Sequence, residues 1–157
     1  MSGERGQLLD ETGHLWSCGR AHYLRSLGTP TGTLPVAVLC RFGHLDDQWA
    51  LLDTAASWSI VGGTTAEELG EHLGATVGTR RISTRHGLLT GELRPVSVSF
   101  VANEAGTDLT IAATCLVIPD WYGPEVLGYS GCLERLRFAL DPGAEPDTET
   151  FYFGPVP

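Results

Sequence analysis

Basic charge is scarce in this sequence: ten Lys and Arg stand against nineteen Asp and Glu, a net charge of −9 at neutral pH. Nucleic-acid binding needs a basic footprint that neutralises phosphates, so no nucleic acid is expected as a partner. An anionic membrane surface is disfavoured for the same reason. Long apolar runs are missing too, and none approaches the roughly 18 residues of a membrane span. The first thirteen residues (MSGERGQLLDETG) are polar and hold no apolar core of a secretory signal, so a cytoplasmic location is expected. Cysteine is sparse, with Cys18, Cys40, Cys115 and Cys132, all expected to be reduced there. Cys40 and Cys115 sit inside apolar runs and read as small core residues. There is no internal repeat and no low-complexity segment.

What is present suits one globular domain with an extension. The chain has 157 residues, 42% hydrophobic and 18% charged, enough to bury a core without a disulfide or metal staple. Twenty glycines and nine prolines cut it into short pieces. Residues 34–41 (LPVAVLCR) and 49–52 read as strands around a polar turn, and 58–61 is a short apolar run ending in Gly62-Gly63. Residues 64–73 (TTAEELGEHL) are the clearest helix, with a capping box from Thr64 and Glu67 or Thr65 and Glu68, and Gly74 as the stop. Residues 81–84 and 88–93 flank a turn at His86-Gly87. Val96, Val98 and Phe100 alternate with Ser97 and Ser99, a half-buried strand. Residues 109–118 (LTIAATCLVI) form a buried strand bounded by Gly106 and Pro119. Residues 131–140 open as a short helix, and 151–153 suit a last strand. The expected fold is all-β with one or two short helices. Residues 1–28 are expected to be an N-terminal extension that packs on the domain or on a partner, with 29–157 as the domain and the GTPTG run at 28–32 as the boundary.

The chemistry-bearing stretch is residues 50–57, ALLDTAAS. An apolar strand runs into Asp53, then a hydroxyl residue, then two small residues. The residues alone allow a strand that stops at a turn-forming Asp. They also allow a functional loop in which the strand presents the carboxylate. About 75 residues later come Val126, Leu127 and Gly128, followed by GCLERLRF.

Together these residues resemble the retropepsin-like aspartic proteases, the single-lobe homodimeric type of the pepsin and retropepsin superfamily. That family has an apolar strand, Asp-Thr/Ser-Gly-Ala, a flap hairpin, and an apolar-apolar-Gly turn before a short helix. The resemblance spans roughly residues 34–154. It implies a closed β-barrel, and an aspartic endopeptidase of peptide or protein substrates that works as a homodimer without metal or cofactor. It implies one catalytic Asp53 from each chain, loop bracing and backbone donors at Thr54, Ala55 and Ala56, and a flap at Arg85, His86, Gly87 and Leu88 that closes over an extended peptide. The turn is Val126, Leu127 and Gly128. Ala55 stands where the family usually has glycine. Asp141-Pro142-Gly143-Ala144 imitates a second motif, but proline replaces the hydroxyl residue, and a turn is expected. A dimeric peptide-binding or assembly domain of the same fold, weak or silent in catalysis, is the alternative.

Three weaker patterns remain. His14, Cys18 and His22 share a spacing of four, but Gly13 and Gly19 break the helix that would align them, and the zinc motif is incomplete. Trp121-Tyr122 could line a peptide subsite or pack beneath the turn. The acidic run 141–149 reads as a solvated loop.

Overall fold

The computed structural model describes residues 7–25, 35–85 and 87–157. In chain order the elements are β1 (Gly19–Leu24), β2 (Val36–Phe42), β3 (Gln48–Leu52), β4 (Ser59–Gly62), α1 (Gly63–Leu69), β5 (Gly78–Thr84), β6 (Gly87–Phe100), β7 (Ala105–Gly106), β8 (Leu109–Ile118), β9 (Val126–Leu127), β10 (Leu136–Asp141) and β11 (Thr150–Pro155). The strands join in the order β10-β11-β1-β2-β3-β9-β4-β8-β6-β5, and a further β2–β6 pairing closes six of them into a ring. Closure gives each of those strands a neighbour on both sides.

Alternation along the strands builds two cores. In β8, Ile111, Ala113, Cys115 and Val117 enter the main core, while Leu116 and Ile118 turn to a second, smaller cluster. β6 does the same along its length: Val96, Val98 and Phe100 face the main core, and Leu93 faces the second. A period of two with apolar residues on both faces marks a strand covered on both sides. The main core also takes Phe42, Phe151 and Phe153, all fully buried.

Three local expectations change. The helix breaks at Gly70, where φ is +51°, and only a 3-10 turn (Gly70–His72) continues toward Gly74. No capping box forms. Gly62 is the N-cap without a side-chain bond, and the Thr65 hydroxyl is taken by the distant carboxylate of Glu125. The short helix after Gly128 is a single 3-10 turn (Leu133–Arg135), and its sequel is strand β10.

The N-terminal region is partly a strand of the barrel's sheet. β1 pairs with β11 from Gly19 to His22 and with β2 at Tyr23 and Leu24, and it buries Ala21 and Tyr23. Its glycine breaks hid that alternation. Before it, Leu9 bridges to Leu15 in a small hairpin of the chain. The boundary expected at 28/29 falls in 26–34, outside the described residues.

His22 lies in β1, while His14 and Cys18 precede it outside any helix, and no group of three metal-ligating side chains gathers among the described residues. Residues 142–149 form the expected loop, except that Glu149 is buried and ion-paired with Arg25 at 3.0 Å. Asp141 accepts the Gly143 amide at 2.9 Å, a side-chain turn that ends β10.

Candidate active site

β3 delivers Asp53. Its Ala50 is fully buried, and it pairs antiparallel with β2 on one side and parallel with β9 on the other. β9 also pairs antiparallel with β4 at Ile60 and Val126. The two-residue strand therefore lies between β3 and β4, and residues 53–58 must loop over its end. Two backbone bonds seat the approach to this loop: the Leu51 amide donates to the Glu125 carbonyl at 2.9 Å, and the Asp53 amide to the Leu127 carbonyl at 3.0 Å.

Asp53 is exposed at the tip. Its Oδ1 accepts the Ala55 and Ala56 amides at 3.0 and 3.2 Å, which sets the carboxylate's orientation with charge-assisted bonds. Thr54 and Ala55 are exposed beside it, and the Thr54 hydroxyl has no partner among the described residues. Ala55 is outside the left-handed region: among the described residues Asp147 is the one non-glycine with positive φ. Alanine in the family's glycine position therefore carries no backbone strain.

Gly128 locks the loop from below. A Cβ there would lie 2.7 Å from the Ser59 nitrogen and closer still to the Trp58 carbonyl, so only glycine lets the two backbones approach. The Gly128 amide donates to the Ser59 hydroxyl at 2.9 Å, and the Tyr129 and Ser130 amides donate to the Ala56 and Ser57 carbonyls, each at 2.8 Å. Val126, Leu127 and Gly128 are all buried under Asp53.

The hairpin of β5 and β6 stands over this floor. Its strands pair from Gly78–Leu93 to Thr84–Gly87, and Gly87 has φ +111°. Ile82 and Leu89, opposite each other, pack on the second cluster with Trp58 and Trp121. Leu88, its neighbour in the strand, faces the other way and is 65% exposed. His86 lies outside the described residues. Arg85 and Thr84, with Leu89, line a cavity of about 460 Å³ whose other wall is Asp120–Gly123. In that wall Trp121 is half-buried, its indole N–H donating to the Pro124 carbonyl at 2.9 Å, and Tyr122 is 91% exposed.

Several contributors escape sequence reading. Ser59 is a buried hydroxyl in an apolar run, and its pairing with Gly128 spans 69 positions. Glu125 is buried beside the turn, where Oε2 accepts the Gly62 amide at 2.9 Å and Oε1 the Thr65 hydroxyl. Burial pushes its pKa up, and those two bonds partly offset the shift. The only signal in the sequence is a carboxylate directly before an apolar-apolar-Gly run. Trp58 and Arg80, whose guanidinium carbon sits 5.8 Å from the indole centroid, form a cation–π pair between floor and hairpin.

No protein-family model and no curated protein matches the chain significantly. Among solved structures, the fold is similar to that of a retropepsin-like aspartic protease from Rickettsia conorii. The TM-score is 0.50 at 18% identity, covering 86% of this chain and 98% of that one. The retroviral protease-like domain of Ddi1 from Leishmania major also matches, with TM-score 0.42 at 18% identity over 77% of this chain and 93% of that one. The chain thus has an all-β, retropepsin-like fold.

Proposed function

We propose that this chain is an aspartic endopeptidase whose site is completed by a second copy of itself across a two-fold axis. The observation that carries the reading is Asp53: a carboxylate oriented by two loop amides at the end of a strand paired on both sides there, yet exposed to solvent in the single chain. Its Thr54 neighbour has a hydroxyl without a partner among the described residues, as a group meant to brace a partner loop would. One chain carries one such motif, and a symmetric contact of this tip with itself would supply the second carboxylate.

Two carboxyls held so close do not both ionise, so one keeps a proton, as in aspartic-protease dyads generally. The charged carboxylate takes a proton from a bound water as the water oxygen attacks the scissile carbonyl carbon. The protonated partner hydrogen-bonds to the carbonyl oxygen and gives up its proton as the tetrahedral intermediate forms. The intermediate collapses: the C–N bond breaks as the amine takes the proton of one carboxyl, and the other carboxylate takes a diol hydroxyl proton as the C=O reforms, which restores the singly protonated dyad. The β5–β6 hairpin would cover an extended peptide and bond to its main chain.

The test is cleavage of a mixed peptide set between about pH 3 and 7 by the wild-type chain and by Asp53→Asn, with mass measured across concentration. The expected result is acid-favoured cleavage by a dimer, lost in the variant while the fold persists. Equal cleavage by both proteins would refute the mechanism. A dimer that cleaves nothing would favour a peptide-binding or assembly domain of the same fold.

A further inference from the structure

The hairpin over the site has a charge opposite to that of the chain. Four of the ten basic residues, Arg80, Arg81, Arg85 and Arg94, fall between positions 78 and 94, where Glu92 is the one carboxylate, while the whole chain carries −9. Their directions differ. On β5 the side chains alternate, and Ile82 packs on the floor cluster. Arg80, two residues before it, is on the same face and sits over the Trp58 ring. Trp58 in turn belongs to the floor, five residues beyond Asp53, its backbone pressed against Gly128.

Arg80 is exposed. One of its terminal nitrogens donates to the Thr79 carbonyl at 2.9 Å, and its guanidinium carbon lies 5.8 Å from the Trp58 ring centroid. No carboxylate pairs with it among the described residues, whereas Arg20, Arg25 and Arg41 each hold one. A guanidinium has five N–H donors in a planar fork. Its place over the Trp58 ring and the Thr79 bond restrain the side chain, and that bond takes one donor, so the others remain for a ligand. Such a restrained fork suits a carboxylate and loses little side-chain freedom on binding one.

We propose that Arg80, held by Trp58, is a specificity-determining residue that selects peptides with an Asp or Glu side chain at the position reaching the base of the hairpin. The proposal rests on the reading of this cleft as a peptide site. The carboxylate is bound but takes no part in bond breaking, so its effect falls on KM and not on kcat.

Binding and cleavage test it separately. Peptides of one length, scanned with Glu or Gln at each position, are titrated at about pH 6, where a free Glu is ionised, against the Asp53→Asn chain and against the same chain with Arg80→Gln. At one position Glu should bind about tenfold tighter than Gln. Arg80→Gln should erase that preference, so that the Glu and Gln peptides bind alike, and Arg80→Glu should shift it toward Lys. Below about pH 4 the preference should fade as the peptide carboxyl takes its proton. No Glu preference at any position, a preference that survives Arg80→Gln, or no peptide binding at all would each overturn the inference. Wild-type cleavage indifferent to acidic residues would sink it and leave the protease reading standing. Glu-dependent binding without any cleavage would do the reverse.

Discussion

Replacing Gly128 with alanine tests the lock beneath the Asp53 loop. The added Cβ meets main chain at Trp58 and Ser59, not the far end of a flexible side chain. The two segments must separate. Three hydrogen bonds then lengthen or break: Gly128 to the Ser59 hydroxyl, Tyr129 to Ala56 and Ser130 to Ser57. At about 1 kcal/mol each, their loss comes to about 3 kcal/mol, before any strain in the backbone. For a domain of this size that lowers the melting temperature by roughly 6–12 °C, from a stability on the order of 5–15 kcal/mol. Gly78→Ala is the control. It makes the same chemical change in β5, where a Cβ would meet only the Arg80 and Leu93 side chains at 3.6 and 3.7 Å, ordinary contact distances. It should be within about 0.5–1 kcal/mol of wild type, on the stabilising side. Thermal melts and urea titrations of the three proteins decide the matter. If Gly128→Ala costs no more than Gly78→Ala, the two backbones are not locked together as described, and the loop's rigidity has another source.

Three further outcomes are expected. Burial raises the Glu125 pKa, so the folded chain holds that proton more tightly than the unfolded one; the stability it contributes below its ordinary value of 4.5 is lost as pH rises through the raised value. The melting temperature of Glu125→Gln minus that of wild type should therefore grow from about pH 4 to pH 7, and a constant difference would contradict the assignment. Amides near the tip of the hairpin, at 82–85 and 87–89, should exchange with solvent faster than those of Cys115, Leu116 and Val117 in β8, which pair on both sides with β4 and β6; equal protection in the free protein would argue against a mobile hairpin. Of the four thiols only Cys18 is partly exposed, while burial raises Cys40 and Cys115 and pushes Cys132 up to about 11. A brief iodoacetamide pulse on the native protein should therefore label at most Cys18, and rapid labelling of any other thiol would mean the core opens readily.

The strands are legible in the sequence because their cause is local. Alternation in residues 109–118 and 96–100, and the glycine and proline breaks between apolar runs, constrain the backbone within a few residues of themselves. The Asp53 loop and Gly128 are legible for a related reason: a strand that stops at an aspartate, and a glycine where two backbones meet, are short local patterns. The helix shows the limit. Thr65 and Glu68 satisfy the local rule for a capping box, but Glu125, 60 positions away, takes the Thr65 hydroxyl, because a buried carboxylate must find donors. β1 is hidden in the same way, since its partners β11 and β2 supply the hydrogen bonds that its glycine-broken sequence does not advertise. Only the tertiary structure set β9 between β3 and β4, closed the ring through β2 and β6, and laid Arg80 over Trp58. Such contacts join residues far apart in the chain, and their free energy appears only when the barrel has brought both partners to one place.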